Sequence, residues 1–272
     1  MHRARSDGVP PVSTVVFVHG AWVTPLCWER FVPFFEARGH RCLAPAWPEK
    51  DRPVEEQRHA PSFALAGLGV AEIVEHYARI VRGLGEPPLL VGHSFGGLFV
   101  QILLDHGLGR AGVAIDSAPP AGIPVYQWTA LRSNLPVLLA PFGWRRIHQP
   151  SFESFRYAFV HTLSPSDQRA AFERYAVPET GRIFFQAALG MAAPRGPTRV
   201  NFANPARPPL LLIAGGQDRI VPPSLNLANY RRYRFSPART VFKEFAGFTH
   251  AIILQPGWEE VARYAAEWLE KV

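Results

Sequence analysis

The chain has 272 residues, enough to enclose a sizeable core in one domain, and its hydrophobic content of 47% is that of an ordinary soluble globule. The formal net charge is +7, but the basic residues are scattered apart from Arg145-Arg146 and Arg231-Arg232, and no nucleic-acid-binding motif is present. The charge therefore bears on solubility and the steering of anions, and a nucleic-acid partner is not expected. The two cysteines, Cys27 and Cys42, lack metal-ligand spacing and read as reduced, buried thiols. No apolar signal region precedes the first strand and no run is long enough to span a bilayer, so the expectation is a cytoplasmic protein without membrane insertion.

In chain order, residues 1–11 read as a flexible tail. Ser13 to Val18 is a buried strand followed by His19-Gly20-Ala21-Trp22. Pro25 to Arg38 predicts a helix that Gly39 stops, and Arg41 to Ala44 the next strand. The Pro-rich, charged stretch from Pro45 to Pro61 reads as a long loop near the rim of a site. A helix is expected from Ser62 to Leu84, because Val70, Ile73, Val74, Tyr77, Ile80, Val81 and Leu84 recur at helical spacing. The apolar run ending at Val91 leads into Gly92-His93-Ser94-Phe95-Gly96 and a further helix, and Ala111 to Ile115 is another strand.

From Ala118 to Arg207 the character changes. Helical pieces fall near 126–139, 152–162, 165–176 and 182–189, and no strand-like run is evident. Beyond them, Pro209 to Gly216 is a fully apolar strand ending in glycines, followed by Asp218. Thr240 to Phe245 alternates as a strand and leads to His250, with a last helix from about Gly257. Strands alternating with helices predict an α/β domain with a mostly parallel central sheet and right-handed crossovers. The divisions are a core from 12–118 and 208–272 and an all-helical insertion from 119–207.

The chemistry is concentrated at strand ends. Gly92-x-Ser94-x-Gly96 between a strand and a helix is a nucleophile elbow: the turn lifts the Ser94 hydroxyl clear of the backbone, and the glycines keep side chains out of the space the turn consumes. An acid (Asp218) and then a histidine (His250) follow in the order such a triad requires. Asp116, just past the strand Ala111 to Ile115, is the alternative acid. Asp218 is preferred for its Gly-Gly-x-Asp-x-x-Val-Pro context. Acyl transfer also needs N–H donors for the oxyanion, and the backbone of Phe95 and Ala21 is the candidate pair. His19 and His93 read as structural, bracing the loop and packing beneath the elbow.

These residues together resemble the α/β-hydrolase superfamily, from Val12 to the C-terminal helix. Within it, Phe17-Val18-His19-Gly20-Ala21-Trp22 through Trp28, with Gly39 to Pro45, looks like the small six-stranded serine esterase and hydroxynitrile lyase-like branch. The resemblance implies that the insertion is a cap over the elbow, and that Ser94, His250 and Asp218 cleave a carboxylic ester-type bond (ester, thioester or lactone) of a small apolar molecule through an acyl-enzyme, with no metal or organic cofactor. Trp22, Trp47, Trp128 and Phe248 are the candidate pocket residues. Family members with an aspartate nucleophile differ at Ser94, and hydroxynitrile lyases carry a lysine where Ala251 stands. Carbon–carbon cleavage and perhydrolysis remain open. So do a non-hydrolytic cyclase or lyase using the same pocket and a small-molecule receptor with a retained triad.

Overall fold

The computed structural model describes residues 13–190 and 195–272, so the tail expected over 1–11 lies outside the described residues. Strand β1 (Thr14–Val18) buries its whole valine and phenylalanine run. The single helix expected over 25–38 is instead a 3₁₀ turn (Pro25–Trp28) followed by α1 (Phe31–Glu36). Pro33 explains the break. It has no N–H to donate and sits most easily in the first turn of a helix, and α1 begins two residues before it. After β2 (Arg41–Leu43), the loop over 45–61 contains a short helix, α2 (Val54–His59).

The helix expected from Ser62 also divides, into a 3₁₀ segment (Phe63–Gly67) and α3 (Val70–Arg82). Gly69 is extended, and its N–H donates to the Glu72 carboxylate at 3.1 Å, which fixes the helix start there. The predicted apolar stripe of α3 faces the core. Strand β3 (Leu89–His93) and helix α4 (Phe95–Asp105) are separated by Ser94 alone, and β4 (Ala111–Ile115) follows.

The segment after β4 holds α5 (Trp128–Leu138), β5 (Ile147–His148), α6 (Phe152–Phe159), α7 (Pro165–Tyr175), β6 (Glu179–Thr180) and α8 (Arg182–Gly190). Its helices fall where expected, but the all-helical expectation is overturned by the antiparallel pair β5–β6, with Ile147 opposite Thr180 and His148 opposite Glu179. Strands this short carry no period to read. What permits the pairing is Gly181, where a Cβ would lie 2.0 Å from the Gly143 carbonyl oxygen.

Strand β7 (Leu210–Gly215), α9 (Pro223–Arg232), β8 (Thr240–Phe245) and α10 (Trp258–Leu269) complete the domain. The six-stranded sheet has the order β2-β1-β3-β4-β7-β8, and every pairing in it is parallel. Helices cover both faces, which is why β3, β4 and β7 are buried along their entire length and read as unbroken apolar runs. The parallel arrangement places all strand C-termini at one end. Strand order reverses between β1 and β3, and the crevice beyond such a reversal is where sheets of this kind take ligands. Here it receives the loop after β1 and the Ser94 turn.

Candidate active site

The turn between β3 and α4 is held by its backbone. Ser94 donates its N–H to Ile115 O at 2.9 Å, and its own carbonyl accepts from Gly97 at 2.9 Å and Ala118 at 3.0 Å. These bonds fix Ser94 at φ 57°, ψ −122°, a left-handed conformation that costs a non-glycine residue about 1–3 kcal/mol. A Cβ on Gly96 would lie 2.0 Å from Val18 O, and one on Gly92 would lie 2.2 Å from Gly96 O. Neither position accepts a side chain without moving backbone. Gly20 is equally constrained, since a Cβ there would lie 2.7 Å from the Cβ of Ser94. The loop after β1 therefore rests directly on the serine.

The structure brings Asp218 and His250 together. His250 Nδ1–H donates to Asp218 Oδ2 at 2.6 Å, and both side chains are fully buried. Asp218 Oδ1 accepts the N–H groups of Ile220 (2.7 Å) and Val221 (2.9 Å), so one oxygen is anchored to the backbone and the other is presented to the imidazole. With the proton on Nδ1, Nε2 is the lone-pair nitrogen. It is buried and makes no hydrogen bond in this structure, to Ser94 or to any other described group. Catalytic contacts of this kind often close only with substrate present. The His250 ring sits 4.7 Å from that of His93, the residue before Ser94, and 4.9 Å from the edge-on ring of Phe159.

The other candidates occupy supporting positions. His93 donates from Nε2 to His250 O at 2.8 Å. His19 donates from Nδ1 to Gly20 O at 2.8 Å and accepts the Trp47 N–H on Nε2 at 3.1 Å. Burial holds both imidazoles well below the ordinary histidine value of 6.5, with the His250 charge adding to the effect at His93 and the Lys50 charge at His19. Asp116, at φ 44°, accepts the Gly215 N–H on Oδ1 at 2.6 Å and makes no hydrogen bond to His250. Burial first, and the neighbouring Asp218 carboxylate second, push its carboxyl well above the ordinary value of 3.8, so it is held neutral. His93, Asp116 and His250 offer ligand atoms within 4.8 Å of one another. One ligand atom of each is hydrogen-bonded (His93 Nε2 to the His250 carbonyl, Asp116 Oδ1 to the Gly215 N–H, His250 Nδ1 to Asp218), and the other, His93 Nδ1, Asp116 Oδ2 and His250 Nε2, is buried without a partner among the described residues.

The two neutral histidines have a consequence for stability. Their folded-state values are depressed, so below about pH 6.5 the unfolded chain binds protons that the folded chain refuses, and stability falls as pH falls. Asp116, with the opposite sign, offsets part of this loss. Urea unfolding at about pH 7.5 and about pH 5.5 is expected to show lower stability at the acid end, with a slope of up to about 2.7 kcal/mol per pH unit from the two histidines, reduced to about 1.4 where the Asp116 proton opposes it. A flat profile would show that one of the imidazoles takes up its proton without unfolding.

Ser94, Phe95, Ala21 and Trp22 open onto a cavity of about 130 Å³ bounded by α5, α8 and residues 220–225. Its walls are mostly apolar: Leu131 and Leu138 come from α5, Phe184 from α8 and Val221 from the segment after β7, with Asn134 of α5 a polar residue of the lining. Of the four expected pocket aromatics, Trp22 is there. Trp47 is not: it is buried beneath the loop after β1, stacked on the His19 ring at 4.8 Å. Trp128 is 67% exposed at the start of α5. Phe248 packs on Phe245 and against Gly257. Composition flagged aromatic side chains, while position on α5 and α8 decides the lining. The spacing of Ala130, Leu131, Asn134 and Leu138 along one side of α5 was the available signal.

The sequence matches the alpha/beta hydrolase family over residues 15–263. The chain belongs to that family. It is built on the α/β-hydrolase fold. Over 100 residues, 35% of this chain and 31% of the relative, it is 32% identical to a pyrethroid hydrolase of Sphingobium wenxiniae, so the match spans about a third of that protein's length. Among solved structures, the monoacylglycerol lipase of Paleococcus ferrophilus superposes with a TM-score of 0.66 at 21% identity, covering 95% of this chain and 94% of that one. A methylesterase from Arabidopsis does so with a TM-score of 0.67 at 14% identity, covering 96% and 100%. At such identities the likeness is one of fold.

Proposed function

We propose that this α/β-hydrolase cleaves carboxylic ester-type bonds (ester, thioester or lactone) of small, largely apolar molecules by acyl transfer to Ser94. The observation that carries this reading is the fully buried Asp218–His250 bond of 2.6 Å, set beside a serine at φ 57° that opens onto an apolar cavity. His250 Nε2 takes the Ser94 proton as Oγ attacks the carbonyl carbon. Asp218 keeps the proton on Nδ1 and stabilises the imidazolium. The Phe95 N–H, in the first turn of α4 where backbone donors lack helical partners, and the Ala21 N–H receive the oxyanion. Collapse of the tetrahedral intermediate expels the alcohol or thiol with the proton from His250, and water repeats the sequence to release the acid. The segment over 119–207 acts as a cap that supplies the cavity walls from α5 and α8. The names of the lipase, methylesterase and pyrethroid hydrolase relatives agree with ester chemistry.

The test is intact-mass labelling with a small fluorophosphonate. Wild type is expected to gain one adduct, with loss of fluoride, and Ser94→Ala none. Absence of an adduct on folded wild type would defeat the acyl-enzyme reading and favour a non-hydrolytic lyase or a receptor in the same pocket.

A further inference from the structure

Lys50 and Glu179 form an ion pair whose two side chains are both fully buried, with Nζ 2.6 Å from Oε2. They come from the loop after β2 and from β6, 129 positions apart in the chain. A buried pair of this kind contributes little net stability, because the desolvation of two charges offsets their attraction, and apolar side chains of similar size often serve as well. Its hydrogen bonds suggest what it does instead. Glu179 Oε2 also accepts the backbone N–H of Trp22 at 3.3 Å, and Oε1 accepts the Thr180 N–H at 2.9 Å. On the other side of the same residue, Trp22 O accepts the Val177 N–H at 3.0 Å. Both peptide groups flanking Trp22 are thus fastened to residues 177–179.

Trp22 needs that fastening. It is a bulky residue at φ 62°, a conformation that persists only where the surroundings impose it. It directly follows Ala21, the proposed oxyanion donor, and the loop they share presses on Ser94 through Gly20. Lys50 completes the brace from below: its ammonium donates to Pro178 O at 3.3 Å and lies over the Trp47 ring, which is stacked on His19.

We propose that Glu179, held in place by Lys50, is a positioning residue for acyl transfer: its carboxylate captures the Trp22 N–H and so locks the Ala21–Trp22 peptide that sets the oxyanion loop. The inference rests on the acyl-transfer reading above. It also gives the insertion a catalytic part beyond walling the cavity, since a group on β6 controls a loop of the core. Without the acceptor, the Ala21–Trp22 peptide is free to rotate, and the preceding Gly20–Ala21 peptide, which carries the Ala21 N–H, loses the anchor on its C-terminal side, which weakens the transition state and leaves ground-state binding in the cavity intact.

Two double variants separate positioning from mere attachment of the insertion. Lys50→Met with Glu179→Gln removes both charges and leaves one amide oxygen, which can accept the Trp22 N–H only with the bond from the Thr180 N–H given up. Lys50→Met with Glu179→Leu removes both charges and the acceptor. Saturation kinetics of phosphonylation by a small fluorophosphonate give a maximal rate and an apparent affinity for each, and urea unfolding gives the stability. The Gln double is expected to retain the wild-type maximal rate within about threefold, and the Leu double to lose about thirtyfold in maximal rate with apparent affinity unchanged within about threefold. Glu179→Asp, which keeps both charges and shortens the reach by one methylene, is expected to lose maximal rate in the same sense and supplies the comparison if the Leu double fails to fold. Equal maximal rates in the two doubles, a loss confined to apparent affinity, or an unimpaired Glu179→Asp would overturn the proposal while wild-type labelling left the acyl-transfer reading standing. No labelling of wild type would remove both.

Discussion

Ser94→Ala is expected to reduce ester turnover by about 10⁵–10⁶-fold, the scale seen when the nucleophile of a triad that works as a unit is removed. The physical argument starts from the turn. Ser94 sits at φ 57° because its N–H and carbonyl are taken by Ile115, Gly97 and Ala118 and because Gly92 and Gly96 leave no room for any other path. Alanine has the same Cβ and inherits the same strain, so the variant is expected to fold with a urea midpoint close to wild type. The Asp218–His250 bond does not involve the serine and stays in place. What is lost is the attacking oxygen alone, and the residual rate comes from water in a site that still offers an imidazole and the backbone donors. Steady-state turnover of a short-chain ester, measured with the mass adduct on the same preparations, checks it. Near-wild-type turnover by folded Ser94→Ala would sink the covalent route, whatever the geometry around it.

Much of this site was legible in the sequence because its signals are local. Gly92 and Gly96 bracket Ser94 at a spacing the turn imposes, and the runs ahead of Ser94 and Asp218 are apolar throughout because their strands are covered on both faces. Asp218 and His250 could be placed because each follows a strand that must end at the same edge of a parallel sheet. Three things were not legible. Helix starts at Phe31 and Val70 depend on single residues, Pro33 and Gly69, within runs whose apolar spacing continues through them. The β5–β6 pair is too short for a period. The partners of Trp47, Trp128 and Phe248 are set by tertiary packing: Trp47 looks like a cavity residue until His19 is found stacked on it. The Lys50–Glu179 pair belongs to this last class. Nothing near either residue in the chain marks it as buried, and only the docking of β6 against the loops after β1 and β2 brings the charges together.

The two buried acids should respond in opposite ways to the same conservative change. Asp218→Asn is expected to lower turnover by about 10⁴-fold at neutral pH with little loss of structure. Asp218 Oδ1 accepts two backbone N–H groups, and only the oxygen of an asparagine amide can take that place. The amide nitrogen is then turned to His250 Nδ1, which has to accept rather than donate. The proton moves to Nε2, the nitrogen that must receive the serine proton, and the base is in the wrong tautomer. Asp116→Asn puts a neutral amide where burial and the Asp218 charge already keep the carboxyl neutral, and its oxygen still accepts the Gly215 N–H. Turnover is expected to stay within about threefold of wild type. Stability carries the second readout. Because the folded-state value of Asp116 lies above its unfolded value, the stability tied to its neutral form is complete at low pH and lost as pH rises through the folded-state value. Asparagine has no proton to lose, so Asp116→Asn is expected to gain on wild type in urea midpoint as pH rises, with the gap closing toward about pH 4. If Asp116→Asn instead lost activity on the Asp218→Asn scale while Asp218→Asn stayed active, the acid of the triad would be the one that follows β4, and the Asp218–His250 bond would be a structural tie.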